Sequence, residues 1–430
     1  MAAVEEKCTA ARWLILIAVV LCVAMGSLAE EEASDMPEPQ EESATSLPRI
    51  SVSPAQPYIH PDPASAILNP GDASSLSTSY DDSPPTEDDK RGQWLLAPIP
   101  SSSPSLGAGL TVIAGYVFKV NKNDDVSPPS QVGVAAYGSE NDSMAVGLGA
   151  RLNLKEDRWR VTTALAHGDI NYTLYGQTGL TSGLSVPISQ TLDGGLVKVL
   201  REIKPDFYLG LSYFYGQTEA DFDIELPWWL ARRLDVPRRV TDNIDSTLEL
   251  DLASFGLHAQ YDSRDSQFYP TTGTNFTLDF TIFTEAAGSD VEYQVFKTTY
   301  NRFWPIKERG VLAVRAMTRM SFDDPPFFGE SSFGMGSDLR GYVAGRHRER
   351  MMYAVQSEYR HKFTERWGAV GFAGFGEVAD TVGDFDLDVL PSIGGGIRFT
   401  LSKEHNINLR LDVATGKDDT EIYFGVGEAF

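Results

Sequence analysis

The sequence predicts an all-β protein: a single sixteen-stranded antiparallel transmembrane β-barrel behind a disordered N-terminal segment. Three observations lead there. Segments of about ten residues alternate apolar and polar positions from residue 93 almost to the end, with few helical stretches between them. Tyrosine and phenylalanine are plentiful and often near strand ends, where a barrel places its interfacial girdles. The chain finishes on "YFGVGEAF", an alternating strand whose last residue is the aromatic Phe430. Terminal aromatics of this kind are the usual signal read by barrel-assembly machinery. Period two alone fits a soluble sandwich, with its apolar face in a core, as well as a barrel with that face toward lipid. The strand count, the girdles and the terminal aromatic favour the barrel.

The N-terminus comes first. "WLILIAVVLCVAM" is apolar but short, follows Lys7 and Arg12, and leads into small residues with Ser27 and Ala29 in the −3/−1 positions. Residues 1–29 read as a secretory signal, with a short membrane anchor as the alternative. Leu21, before Cys22, is too large for a lipoprotein site. Both cysteines, Cys8 and Cys22, fall inside the signal, so a mature chain would lack disulfides, thiol catalysis and cysteine zinc sites. Residues 30–92 are rich in Pro, Ser, Asp and Glu without apolar periodicity, the composition of a disordered acidic tether. A net charge of −24 argues against a nucleic-acid partner.

From residue 93 to 430 the texture is that of strands. "MAVGLGARLNL" sets Met144, Val146, Leu148, Ala150, Leu152 and Leu154 on one face. "INLRLDV" sets Ile407, Leu409, Leu411 and Val413 against Asn408, Arg410 and Asp412. The sixteen segments lie near 93–101, 106–120, 131–139, 143–155, 158–175, 188–203, 206–222, 249–263, 274–288, 290–305, 310–322, 350–363, 367–380, 392–402, 406–416 and 421–430. In the first, Pro98 and Pro100 cannot donate to a ladder, which predicts a weakly zipped edge, a lateral seam. Short turns at 155–157 and 204–206 belong on the periplasmic side and long connections outside. That parity places Gly334–Arg350 in the extracellular loop after strand eleven.

Three stretches stand out. In "YDSRDSQFYPTTG", Pro270 fixes φ and Gly273 permits positive φ, while Asp262, Arg264 and Asp265 can bond backbone groups and one another. "GMGSDLRGYVAGRHRER" sets Arg340 among glycines. On the residues alone it is an exposed loop arginine, facing lipopolysaccharide phosphates. The same stretch ends in a basic run, Arg346–Arg350, suited to anionic headgroups. "LPWWLARRLDVPRR", with Trp228, Trp229, Arg232 and Arg233, makes either a short helix on the outer surface or a loop helix over the barrel mouth. No Gly-x-Ser-x-Gly elbow or His-Glu-x-x-His run is present, so neither a catalytic residue, a metal site nor a cofactor is indicated. A phospholipase-like Ser–His pair on the barrel exterior stays open to the sequence, though nothing points to one.

With these stretches in order, residues 93–430 resemble the BamA/TamA-like surface-antigen superfamily of outer-membrane barrels. "YDSRDSQFYPTTGTNF" is similar to that family's turn between the eighth and ninth strands. "GSDLRGY" is similar to the Arg-Gly-aromatic tip of its sixth extracellular loop, and "GVGEAF" to its closing strand. The resemblance implies that Arg340, Gly341 and Tyr342 fold back into the lumen as a latch on acidic residues of strands twelve and thirteen. Glu358 is the candidate partner, on one face with Met352, Ala354, Gln356 and Arg360. Family members often place an aspartate in strand thirteen; here Gly374 occupies that position, leaving Glu358 alone or helped by Glu377. Family members that assemble barrels usually carry periplasmic POTRA repeats; residues 30–92 are too few and too Pro-rich for one, so the resemblance is to the short, repeat-less branch. The implied role is non-enzymatic: helping proteins or lipids insert into or cross the outer membrane of a Gram-negative-type bacterium. Lipid, nascent outer-membrane proteins and a periplasmic partner are the implied contacts. The alternative is a passive pore or surface antigen without assembly activity.

Overall fold

Side-chain alternation makes each strand one-sided, and the computed structural model turns all these faces the same way. It describes residues 92–430 apart from 104–106, 122, 125, 176–184, 223–246, 335–337, 344, 403–405 and 418. The expected signal, the tether up to residue 91, Gly336 and the Trp228–Arg239 stretch lie outside the described residues.

The strands are β1 (Gln93–Ser103), β2 (Gly107–Phe118), β3 (Ser130–Ser139), β4 (Met144–Leu154), β5 (Trp159–Tyr175), β6 (Ser185–Lys204), β7 (Phe207–Phe222) and β8 (Thr247–Asp262). They continue with β9 (Gly273–Phe283), β10 (Tyr293–Ile306), β11 (Gly310–Phe322), β12 (Met351–Lys362), β13 (Trp367–Ala379), β14 (Leu390–Ser402), β15 (Ile407–Thr415) and β16 (Thr420–Val426). All sixteen form one antiparallel sheet in sequence order. A two-residue ladder, Ser331–Ser332 with Arg348–Glu349, closes the base of the loop between β11 and β12.

Apolar residues such as Leu165 and Leu257 are 58% and 55% exposed, a face turned to lipid. The opposite face carries buried polar groups, among them Asn153, Arg160, Thr218 and Arg398. The long strands β5 to β8 outreach this apolar belt. A cross-strand row of His167, Asp193, Gln217 and Asp251 marks its upper edge, with Asp193 2.9 Å from His167 Nδ1 and Gln217 donating to Asp251 at 2.8 Å.

Two strands end well short of where periodicity predicts. β9 stops at Phe283 because Thr284 caps a 3₁₀ turn at Glu285–Ala287, closed by Gly288 at φ +104°. β16 stops at Val426, not at residue 430, because Gly427 adopts φ +87° and turns the chain inward. Phe430 therefore lies beyond the last strand. Its ring packs on Tyr269, Phe303, Val311 and Ala313, and its carbonyl accepts from Arg360 Nη2 at 2.7 Å.

The two edges of the sheet are β1 and β16, and among the described residues no ladder joins them. Pro98 and Pro100 sit opposite Val112 and Leu110 of β2. Two residues apart, their ring nitrogens face the same side of the strand. Side chains bridge the gap instead: Val117 of β2 packs with Ile407 and Val426.

Candidate functional site

The loop between β11 and β12 dips into the barrel, and its tip is Arg340, 2% exposed. The local sequence allows this. Gly341 sits at φ +100°, and a Cβ there would lie 2.8 Å from the backbone nitrogen of Gly416, so only glycine lets the tip pass this close to the end of β15. The Gly341 N–H donates to the Tyr423 hydroxyl at 2.7 Å. Tyr342 donates to the Pro391 carbonyl at 2.5 Å, with its ring among Met317, Phe333, Leu339, Met352 and Leu390.

Arg340 enters a closed circuit of alternating charge. Its Nη2 lies 2.7 Å from Glu358 of β12, whose other oxygen lies 2.8 Å from Arg360 Nε. Arg360 Nε is 3.7 Å from Glu428, which Arg398 Nε of β14 reaches at 2.8 Å. Arg398 Nη1 meets Asp412 of β15 at 2.5 Å, and the other oxygen of Asp412 returns to Arg340 Nη1 at 2.9 Å. Three guanidiniums thus face three carboxylates, every side chain at most 5% exposed. Burying isolated charges costs several kcal/mol each, and strict alternation offsets that cost here. The Phe372 ring, 3.4 Å from the Arg340 guanidinium carbon, closes one face. Gln356 accepts from Arg340 Nε at 3.3 Å.

The structure brings Arg340 and Glu358 together but leaves Glu377 out. Glu377 accepts from Tyr353 at 2.9 Å and from the Asp386 N–H at 2.8 Å instead. The second acid is Asp412, two strands beyond the expected place. Gly374 has its own use: a Cβ there would lie 2.6 Å from Gln356 Cγ, so its absence makes room for Gln356 to reach Arg340. Asp412, Arg398 and Glu428 escaped sequence reasoning. A shared lumen-facing parity with Glu358 was the available signal for the first two, and the chain's inward turn at Gly427 hid the third.

The turn between β8 and β9 forms a second polar knot. Asp262 accepts from Arg264 at 2.7 and 3.1 Å and from Arg160 of β5 at 3.2 Å. Asp265 caps the N–H groups of Thr271 and Thr272, and a Cβ on Gly273, at φ +98°, would lie 2.2 Å from the Ser263 carbonyl. Pro270 is buried beside Tyr269. Phe268 packs against the cross-seam cluster, so this turn touches both the seam and, through Tyr269, Phe430. The basic run at 346–350 is internally paired: Arg346 with Asp419, Arg348 with Glu330 at 2.6 Å, and Arg350 with Asp380 at 2.5 Å. Its hydrogen bond to Arg350 holds the Asp380 carboxyl below the usual range, while burial pushes Glu330 up. That pairing answers the concentration of positive charge locally.

The profile of the Omp85 superfamily domain matches residues 118–430. Among solved structures, BamA from Haemophilus ducreyi lacking POTRA domains 1-3 aligns with a TM-score of 0.53 at 14% identity, covering 84% of this chain and 76% of that one. CdiB from Escherichia coli aligns at 0.54 and 11% identity, covering 82% and 66%. CdiB from Acinetobacter baumannii aligns at 0.51 and 11%, covering 77% and 58%, so the chain spans about two thirds or less of either CdiB. At such identities the likeness is one of fold. No curated protein matches the sequence.

Proposed function

Because the chain belongs to the Omp85 superfamily, whose barrels reside in the outer membrane, we propose that it helps proteins or lipids insert into or cross that membrane through the seam between β1 and β16. The observation that carries this reading is the unladdered seam. An edge strand with free hydrogen-bonding groups is a template for an incoming strand. Pro98 and Pro100 withhold two donors from one edge of β1, which keeps self-closure weak. β16, at seven residues, is shorter than the nine to eleven that a tilted spanning strand needs, which favours a thinned bilayer beside it.

In this reading Arg340 is the latch that ties the loop after β11 to the wall next to the seam. The turn between β8 and β9 lies on the periplasmic side, and Phe430 supports assembly of the barrel itself. Nascent barrel proteins, lipid and a periplasmic partner are the proposed contacts, and the role requires no bond-making chemistry. The passive pore fits less well with a lumen wall covered by a loop tip and an inward-turned tail.

The test follows insertion of an unfolded outer-membrane barrel into liposomes containing the folded protein or its Arg340→Ala variant. Faster insertion with the wild type, reduced in the variant, supports the proposal. A folded wild type that leaves the rate unchanged and shows steady single-channel conductance favours the pore.

A further inference from the structure

On the lumen wall of β7, β8 and β9, away from the charge ring, three residues meet in an order with chemical meaning. His258 Nδ1 lies 2.5 Å from Asp279 Oδ1, and its Nε2 lies 2.7 Å from Ser212 Oγ. A carboxylate only accepts, so Nδ1 carries a proton, and in the neutral imidazole Nε2 accepts from the serine. We propose that Ser212, His258 and Asp279 form a serine-nucleophile site that cleaves acyl esters inside the barrel.

The sheet register builds it. Asp279 is directly opposite His258, and Ser212 is opposite Gly256, one diagonal step from His258. A Cβ on Gly256 would lie 2.3 Å from Ser212 Oγ and 2.7 Å from His258 Nε2. Glycine at that position is therefore what lets imidazole and hydroxyl meet. The partners are 46 and 21 residues apart in the chain and lie on three strands, so no short motif announces them. Ser212 is half-buried and the Asp279 side chain 22% exposed, which leaves the site open to the lumen.

The substrate class follows from the surroundings. Backbone N–H groups here belong to the ladders, so the developing oxyanion must be met by side chains. Lys198 lies opposite Ser212 and reaches over to Asp279 at 3.2 Å, while Lys297 lies opposite Asp279. An ammonium group beside the nucleophile, with a second on β10 further along the wall, fits an acyl ester that also bears an anionic group. Ser212 Oγ would bond to the acyl carbon as its proton passes to His258 Nε2. The ester C–O bond then breaks, and the alcohol leaves with that proton. Water, deprotonated by His258, releases the acid and restores the Ser212 hydroxyl. Asp279 is the positioning residue. This site stands independently of the assembly role.

The experiment treats the purified full chain, folded in detergent micelles, with an alkyl fluorophosphonate and maps the adduct by mass spectrometry. Hydrolysis of 4-nitrophenyl acetate is followed in parallel, and heat-modifiable gel mobility checks the fold of each variant. The expected result is one phosphonate on Ser212, absent in Ser212→Ala and formed about a hundredfold more slowly or less in His258→Gln. Asp279→Asn slows it as well. A network that only braces the wall leaves Ser212 unlabelled under conditions that fully label a known serine hydrolase. That outcome, or equal labelling in folded His258→Gln, overturns the proposal. Should Ser212→Ala fail to fold, the adduct's position on the wild type still decides.

Discussion

At Arg340 three acceptors share one guanidinium: Gln356 at Nε, Asp412 at Nη1 and Glu358 at Nη2. Arg340→Ala leaves two buried carboxylates short of a partner, so a loss of about 3–5 kcal/mol is expected, read from the urea midpoint of the folded barrel. Arg340→Lys recovers little of it, since a point charge cannot serve three directions at once. Combining Arg340→Ala with Asp412→Asn should cost less than the sum of the two single changes, by about 0.5–3 kcal/mol, in a double-mutant cycle. The family resemblance implies a lumen-wall carboxylate for Arg340, and alternation along β12 singles out Glu358 as the one on that face. Neither reaches Asp412. The "INLRLDV" pattern gives Asp412 the right face, but the height at which it meets the loop tip depends on how far three strands are staggered. Gly374 was legible only as a missing acid; the space it leaves for Gln356 exists only in three dimensions.

Among the elements, hairpin alternation was legible because lipid demands an apolar residue at every second position, and that demand is written into β4 and β15 alike. Strand ends were less so, since "GVGEAF" alternates through a glycine whose φ, not its hydropathy, ends β16. The turn between β2 and β3 depends on a carboxylate. Asp124 accepts from the Ser127 N–H at 2.8 Å, its hydroxyl at 2.7 Å, and the Glu156 N–H of the turn between β4 and β5 at 2.9 Å. Those bonds, the Ser127 N–H first, lower its pKa to about 2. A lowered acid stabilises the fold above its ordinary pKa, and the benefit disappears as pH falls toward the folded value. Protease protection of the 119–129 turn should therefore exceed that of Asp124→Asn at neutral pH. The difference should shrink as pH drops from the ordinary aspartate range toward about 2, and a difference independent of pH would refute the carboxylate's role.

For the whole molecule, the fold is a sheet whose two ends, among the described residues, meet without a ladder. Pro98→Val with Pro100→Val restores two donors to β1, each worth about 0.5–1.5 kcal/mol if paired. The doubly substituted barrel should need more heat to lose its folded gel mobility and should insert client barrels more slowly. Higher melting with unchanged client insertion would place those nitrogens toward β2 and refute their part in the seam. The charge ring has a further consequence, for the completeness of the chain. Its members come from the loop tip, from β12, β14 and β15, and last from Glu428, beyond the final strand. Without that residue, Arg360 and Arg398 have one carboxylate too few, and the loop tip would face an unbalanced interior. A chain cut short before Glu428 thus carries its own mark of incompleteness, an unbalanced pair of buried arginines that a quality-control protease would meet as an unsettled loop.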